Sequence, residues 1–229
     1  MTISYCVTAC NETETLSKLL SYLVLVNTPE DEIIVLFDKD NYTSESEKIV
    51  LDYQKANNSN NNFKVLYHPL NKNYAAFKNK CIESSTKDWV HHIDADECPG
   101  VFLLGENLKS IIASNPEIEL YRVSRMNNFI GVTEDDAKRW GWNIDNPNKW
   151  INWNTGDYQN RIFKRDYPNI KWIGKLHERV VGAKKYTDLP KEEDYALLHT
   201  KTIERQRATN ERYMKLFTID ENMGRSTEC

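Results

Sequence analysis

The chain has 229 residues, 40% of them hydrophobic and 28% charged, a composition that excludes disordered and collagen-like classes and suits one sizeable core rather than two full domains. A formal net charge of −4 supplies no broad attraction for a polyanion, so nucleic acid is not an expected partner. The five cysteines, Cys6, Cys10, Cys81, Cys98 and Cys229, are odd in number and show no C-x-x-C spacing, so neither a disulfide framework nor a structural zinc site is signalled; Cys6 and Cys81 read as buried thiols.

The first hundred residues alternate short apolar runs with helical patterns, the signature of β-α-β units and a mostly parallel sheet. Ile3–Thr8, Ile33–Phe37, Phe63–Tyr67 and Trp89–Ile93 are predicted strands, short and rich in β-branched or aromatic residues. Leu16, Leu19, Leu20 and Leu23 repeat at the helical period behind Asn11 or Thr13 as N-cap, and Ser44–Ala56 and Tyr74–Ser84 repeat the pattern more weakly. Asn57–Asn62 is a polar loop. After Pro99 the texture changes. Ile118–Met126 and Tyr158–Lys164 read as strands. Arg139–Trp153 carries four tryptophans and forms either a small core under a surface loop or an acceptor-binding lid. Thr202–Thr218 is a polar helix with Tyr213 and Leu216 as anchors. No basic end followed by an apolar run opens the chain, and no stretch nears the roughly 18 apolar residues of a membrane span, so a cytoplasmic protein without a membrane span is expected.

The strongest chemical signal is Trp89-Val-His-His-Ile-Asp-Ala-Asp-Glu97, an apolar strand running into two aspartates one residue apart. Ligands of open α/β sheets gather beyond the carboxyl ends of strands, which would put Asp94 and Asp96 on the floor of a cleft. A hard cation such as Mg²⁺ or Mn²⁺ takes carboxylate oxygens and leaves positions for phosphate. Two solvated aspartates capping the next helix would look the same. The three β-α units upstream, and a second acidic strand end at Asp38 and Asp40, favour the metal-nucleotide reading. Of the histidines, His91 and His92 alternate faces on one strand, so at least one should be a hydrogen-bonded core residue, and His68 falls on a loop. Lys78 reads either as a phosphate contact or as a solvated helix lysine.

On these segments the chain resembles the family 2 GT-A glycosyltransferases, from Ile3 to about Lys201. Val7-Thr-Ala-Cys-Asn-Glu12 matches the end of that family's first strand, Ile33–Asp38 its nucleobase-contacting strand, Asn73–Asn79 the segment between base and diphosphate, and Asp94-Ala-Asp-Glu97 its metal motif. Asp157–Lys164 with Leu176–Val180 is similar to the subgroup containing lipopolysaccharide-core glucosyltransferases. The resemblance implies a Rossmann-like, mostly parallel sheet flanked by helices with a smaller antiparallel acceptor-side portion. It implies a nucleotide-sugar-binding half at 1–98, an acceptor-side half at 99–201, and a helical extension at 202–229.

It further implies an inverting, metal-dependent transfer from a UDP- or GDP-sugar to a hydroxyl acceptor, a carbohydrate being the expected one. Thr8, Asn11, Glu12, Asp38, Lys78, Asp94, Arg161, His177 and Lys201 would line the substrate site, and Asp94, Asp96 and His199 would hold Mn²⁺ or Mg²⁺. His199 also reads as an ordinary strand-end histidine. Glu178 is the expected general base, with Asp157 and Asp194 as rivals; a surface pairing of Glu178 with His177 or Arg179 is the bland alternative. The second strand ends Phe-Asp-Lys-Asp-Asn, which leaves open whether Asp38 or Asp40 meets the base. A nucleotidyltransferase would want a glycine-rich, basic segment where Glu12 and Glu14 stand; a non-catalytic nucleotide- or sugar-binding module stays open.

Overall fold

The computed structural model describes residues 1–57, 62–145 and 149–222. Most of the expected Asn57–Asn62 loop, the middle of the tryptophan-rich stretch and the end of the helical extension, with Cys229, lie outside the described residues. In chain order the elements are β1 (Ile3–Ala9), α1 (Glu14–Val26), β2 (Glu32–Asp38), α2 (Ser44–Asn57), β3 (Phe63–His68), α3 (Tyr74–Ser84), β4 (Trp89–Asp94), β5 (Glu97–Pro99), α4 (Gly105–Ala113) and β6 (Leu120–Ile130). There follow α5 (Glu134–Trp140), β7 (Ile144–Asp145), β8 (Trp150–Ile151), β9 (Tyr158–Lys164), β10 (Lys171–Ile173), β11 (Arg179–Val181), β12 (Tyr186–Asp188), β13 (Leu197–Thr202), α6 (Ile203–Leu216) and α7 (Ile219–Asn222).

The main sheet runs β3-β2-β1-β4-β9-β6-β13-β5. β3, β2, β1 and β4 are parallel; β9 is antiparallel to β4 and β6, β13 lies parallel to β6, and β5 closes the edge antiparallel to β13. A separate ribbon pairs β10 with β11. The result is the expected parallel half with a mixed extension: the smaller portion expected to be antiparallel also holds the parallel pairs β6–β13 and β6–β12.

Strand periodicity sorts the core onto both faces of the sheet. Tyr5, Val7, Ile33, Val35 and Phe37 point to one side and Cys6, Ile34 and Leu36 to the other, so β1 and β2 are buried throughout and read as unbroken apolar runs. On the first face α1 lays down Leu16, Leu19, Leu20 and Leu23, each at most 1% exposed and each contributing roughly 2 kcal/mol of apolar transfer. On the second face α3 contributes Ala75, Phe77, Cys81 and Ile82, against Trp172 and Val180 from the β10–β11 ribbon. Asn79 fixes that ribbon to α3: its Nδ2 donates to the Trp172 carbonyl and its Oδ1 accepts from the Trp172 amide, both at 2.9 Å.

Several local expectations shift. β6 continues past Met126 to Ile130, and His68 is the last residue of β3 rather than a loop residue. Thr13 stands at the N-cap of α1 without a side-chain cap bond, whereas Asn73 caps α3 by accepting from the Ala76 amide at 2.9 Å. The extension docks back on the body through Tyr213, whose hydroxyl is 3.2 Å from that of Tyr74, and through Phe217, which is buried; Leu216, expected as an anchor, faces solvent. Within the tryptophan-rich stretch, Trp142 packs on Phe129 at 5.2 Å beside Ile151 and Ile203, which is a small core. No helix among the described residues is long and apolar enough to cross a membrane.

Candidate active site

The carboxyl ends of β1, β2 and β4 deliver Thr8, Asp38 and Asp94 to one edge of the sheet. Asp94 is the hub. Its Oδ1 accepts from Thr8 Oγ1 at 2.7 Å and lies 3.2 Å from Lys78 Nζ, while its Oδ2 accepts from Arg161 Nη2 at 2.6 Å. The same Arg161 nitrogen donates to Glu97 Oε1 at 2.6 Å, and Glu97 Oε2 in turn accepts from the Asp94 amide at 3.1 Å. Burial alone would push the Asp94 carboxyl up, but Arg161 and Lys78 outweigh it and hold the group well below the ordinary range. Arg161, at 2% exposure, therefore orients Asp94 and Glu97 from below.

Lys78 is neither solvated nor free. Its Nζ lies 2.6 Å from Glu178 Oε1 and 4.8 Å from the centre of the Trp172 ring. Glu178 is turned inward because His177 adopts a left-handed conformation with φ of 53°, uncommon outside glycine, which leaves His177 exposed and sends the next side chain toward α3. The surface-pairing alternative for Glu178 is thereby replaced by an interior ion pair. Burial raises its pKa, yet Lys78 more than offsets this and keeps it below the usual glutamate value.

Asp96 occupies the tight turn between β4 and β5. Its Oδ2 lies 3.3 Å from His199 Nε2. The register explains the meeting: β13 pairs with β5 so that His199 stands opposite Glu97, and with β6 so that it stands beside Asn127. Burial pushes the Asp96 carboxyl up, yet the group is held well below the ordinary carboxylate range, with the Lys201 charge among the causes; burial lowers the His199 pKa against the opposing pull of Asp96. Lys201, two residues on, is brought down to about 8 by burial, with Arg125 and Arg205 adding to the effect.

A chelating cluster of three His, Cys, Asp or Glu side chains does not occur among the described residues. Asp96 and His199 are together, while both oxygens of Asp94 are occupied by Thr8, Lys78 and Arg161. Two protein ligands and an open side are what Mg²⁺ or Mn²⁺ needs when phosphate oxygens complete its shell, so the donor set fits such an ion at Asp96 and His199.

Asp38 is buried, and its carboxylate accepts from Asn41 Nδ2 at 2.7 Å and the Leu70 amide at 3.1 Å, whereas Asp40 is exposed. Asn11 is exposed just beyond β1, and Glu12 bridges the Cys10 amide and Arg205 of α6, each at 2.8 Å. Asp157 is saturated: Arg125 Nε at 3.0 Å, Asn127 Nδ2 at 2.7 Å and Gln159 Nε2 at 2.6 Å all donate to it. Asp194, the other rival base, is exposed on a single 3-10 turn. His92 meets a polar side chain, Thr8 Oγ1 at 3.4 Å, and His91 the Leu103 backbone; burial brings His92 down to about 4 and His91 to about 3, so both are neutral. Arg125 and Asn127 were missing from the sequence reading. Their signal was faint: two polar residues in a strand that continues, Arg-Met-Asn-Asn-Phe-Ile, past its apolar start.

Parallel β-α units ending in an acidic turn, continued by a mixed extension, define a GT-A glycosyltransferase fold. The family model described as Glycosyl transferase family 2 matches residues 4–166, and the chain belongs to that family. The match stops short of Leu176–Val180, part of the stretch that suggested the lipopolysaccharide-core subgroup.

Solved structures of similar fold include residues 1–349 of S. aureus TarS, 16% identical with a TM-score of 0.59 over 87% of this chain and 60% of that one. The same fragment in complex with UDP-GlcNAc is 19% identical, with a TM-score of 0.58 over 88% and 59%. TarS itself is 16% identical, with a TM-score of 0.60 over 88% of this chain and 37% of that one. The chain thus spans between about a third and three fifths of these proteins. No curated protein matches significantly.

Proposed function

We propose that this chain transfers a sugar from a UDP- or GDP-sugar to a hydroxyl acceptor, with a carbohydrate as the acceptor class, inversion at the anomeric carbon and a divalent ion at Asp96 and His199. The observation that carries the reading is the acidic turn after β4, where Asp96 faces a buried imidazole nitrogen at 3.3 Å within a family 2 chain. A bound Mg²⁺ or Mn²⁺ would supply Lewis-acid stabilisation to the departing diphosphate. Asp38 and Asn11 would contact the nucleoside, Thr8 and Asp94 the donor at the strand ends, and Lys201 the diphosphate. Glu12, tied to Arg205, would hold the loop after β1.

In the reaction, Glu178 takes the proton of the acceptor hydroxyl. The acceptor oxygen bonds to the anomeric carbon while the bond from that carbon to the diphosphate oxygen breaks, the electron pair leaving with the diphosphate. Lys78 keeps Glu178 ionised and ready to accept. Asp157, already accepting from three side chains, is the weaker candidate for base.

A thermal-shift panel of UDP, GDP and their sugars, with and without Mn²⁺, tests the reading, since a ligand of the folded state raises apparent stability. The shift should be Mn²⁺-dependent, and Asp96→Ala should abolish that dependence while its unliganded melting temperature stays near wild type. The TarS fragment in complex with UDP-GlcNAc makes that donor the first to try. Absence of any nucleotide effect, or an unchanged Mn²⁺ effect in a folded Asp96→Ala variant, refutes the proposal; retained anomeric configuration in the product refutes inversion.

A further inference from the structure

One acidic residue and one amide of the site lie outside the reaction just described. Asp157 Oδ2 accepts from Asn127 Nδ2 at 2.7 Å. An ionised carboxylate has no proton to give, and the burial that would raise the Asp157 pKa is outweighed by Arg125. The amide nitrogen of Asn127 must therefore face Asp157, which fixes its oxygen on the opposite side, 2.7 Å from His199 Nδ1. Asn127 is 5% exposed and stands in direct register with His199 on the neighbouring strand, so neither group has room to turn away.

A neutral imidazole has one N–H for two flanking acceptors, Asn127 Oδ1 at 2.7 Å and Asp96 Oδ2 at 3.3 Å. The shorter contact lies at the near end of the N–H···O range and the longer one beyond its far end. We infer that Asn127, oriented by Asp157, is a positioning residue that holds the Nδ1 proton of His199 and leaves the Nε2 lone pair facing Asp96, making the two a seat for the divalent ion. Two electron-pair donors facing each other are unfavourable until a cation comes between them, and fixing the tautomer through the distal ring nitrogen raises the ligating strength of the other. The inference rests on the metal reading proposed above, but its core concerns a proton visible without metal or donor.

The test uses full-length chain labelled with ¹⁵N-histidine at about pH 8, where imidazoles are largely neutral. The His199 nitrogens are assigned by their loss in His199→Gln. Wild type should show the Nδ1–H form, and Asn127→Leu should shift it toward Nε2–H, while Mn²⁺ affinity in the presence of UDP falls about 10- to 100-fold. Asn127→Ala serves if the leucine variant does not fold, and the wild-type tautomer is informative in either case. An Nε2–H form in wild type, or an unchanged tautomer in a folded Asn127 variant, overturns the inference alone. The expected tautomers with no Mn²⁺ broadening of the His199 signals would instead overturn the metal seat and the metal-assisted reading with it.

Discussion

Arg161→Leu tests the ionic floor of the site most directly. One nitrogen of this guanidinium, on a residue 2% exposed, serves two carboxylates at 2.6 Å, Asp94 Oδ2 and Glu97 Oε1. Leucine removes the charge and leaves the two acids unequal. Asp94 keeps Thr8 at 2.7 Å and Lys78 at 3.2 Å, whereas Glu97, with a side chain 1% exposed, keeps the more distant Arg125 at 3.6 Å. Removing one member of a buried pair costs about 3–5 kcal/mol, chiefly because the survivor stays charged and dry. That is a large share of the 5–15 kcal/mol typical of domain stability. Adding Glu97→Gln removes the stranded charge and should recover about half of the loss, which with the cost of Glu97→Gln alone makes a coupling of at least about 2 kcal/mol. Urea unfolding at neutral pH, followed by tryptophan fluorescence and compared at equal m-value, measures both quantities. A loss below about 1 kcal/mol in Arg161→Leu, or additive losses in the double variant, would show that Arg161 does not carry the floor.

Glu178→Gln should keep UDP- or GDP-sugar affinity yet lose roughly 10²–10⁴ in transfer rate, measured by product release at saturating donor; a near wild-type rate would remove Glu178 as base. Acid should unfold the protein through the buried junction of β1 and β2. Asp31 accepts from the Ile3 amide at 2.8 Å and pairs with Lys109 at 2.8 Å, and Glu32 pairs with Lys64 at 2.7 Å. Both pKa values are lowered, since these bonds outweigh the opposing effect of burial. Their stabilisation is therefore full above the unfolded pKa of about 4 and is lost as pH falls through the folded values. Asp31→Asn should flatten the pH dependence of urea midpoints in that acid range. Gly182→Ala should destabilise by more than about 2 kcal/mol, because φ is +96° and a Cβ would lie 2.0 Å from the Asn169 carbonyl oxygen; an unchanged urea midpoint would contradict that contact.

The fold was legible where pattern and burial coincide. Tyr158–Lys164 and Tyr74–Ser84 have the limits read from sequence, and the leucines of α1 pack as their spacing requires. Legibility fell where polar residues serve the interior. β6 was cut short at Met126 because Asn127 and Asn128 look like a strand end, yet Asn127 is buried as part of the site. α5 was overlooked although Thr133 and Asp136 form a capping box, a signal present in the letters. Lys78 could not be read as an interior ion-pair partner because Glu178 reaches it through the positive φ of His177, a backbone state that a histidine does not announce. Asp96 and His199, 103 residues apart, were brought together by the family resemblance alone, because the sheet register through which they meet is not written in one sequence.

β13 gives the site a timetable. It inserts between β6 and β5, so His199 closes on Asn127 across 72 residues and on Asp96 across 103. On a ribosome, β1 through β4 emerge well before that strand exists, since synthesis adds only about 5–20 residues per second. The strand ends that carry Thr8, Asp38 and Asp94 can then be laid down early, while Asp96 still lacks its imidazole neighbour. Until β13 arrives, the inner edges of β5 and β6 expose unpaired backbone groups, the kind of edge that recruits other chains. The closing strand thus both completes the Asp96–His199 pair and covers the edges of the nascent sheet.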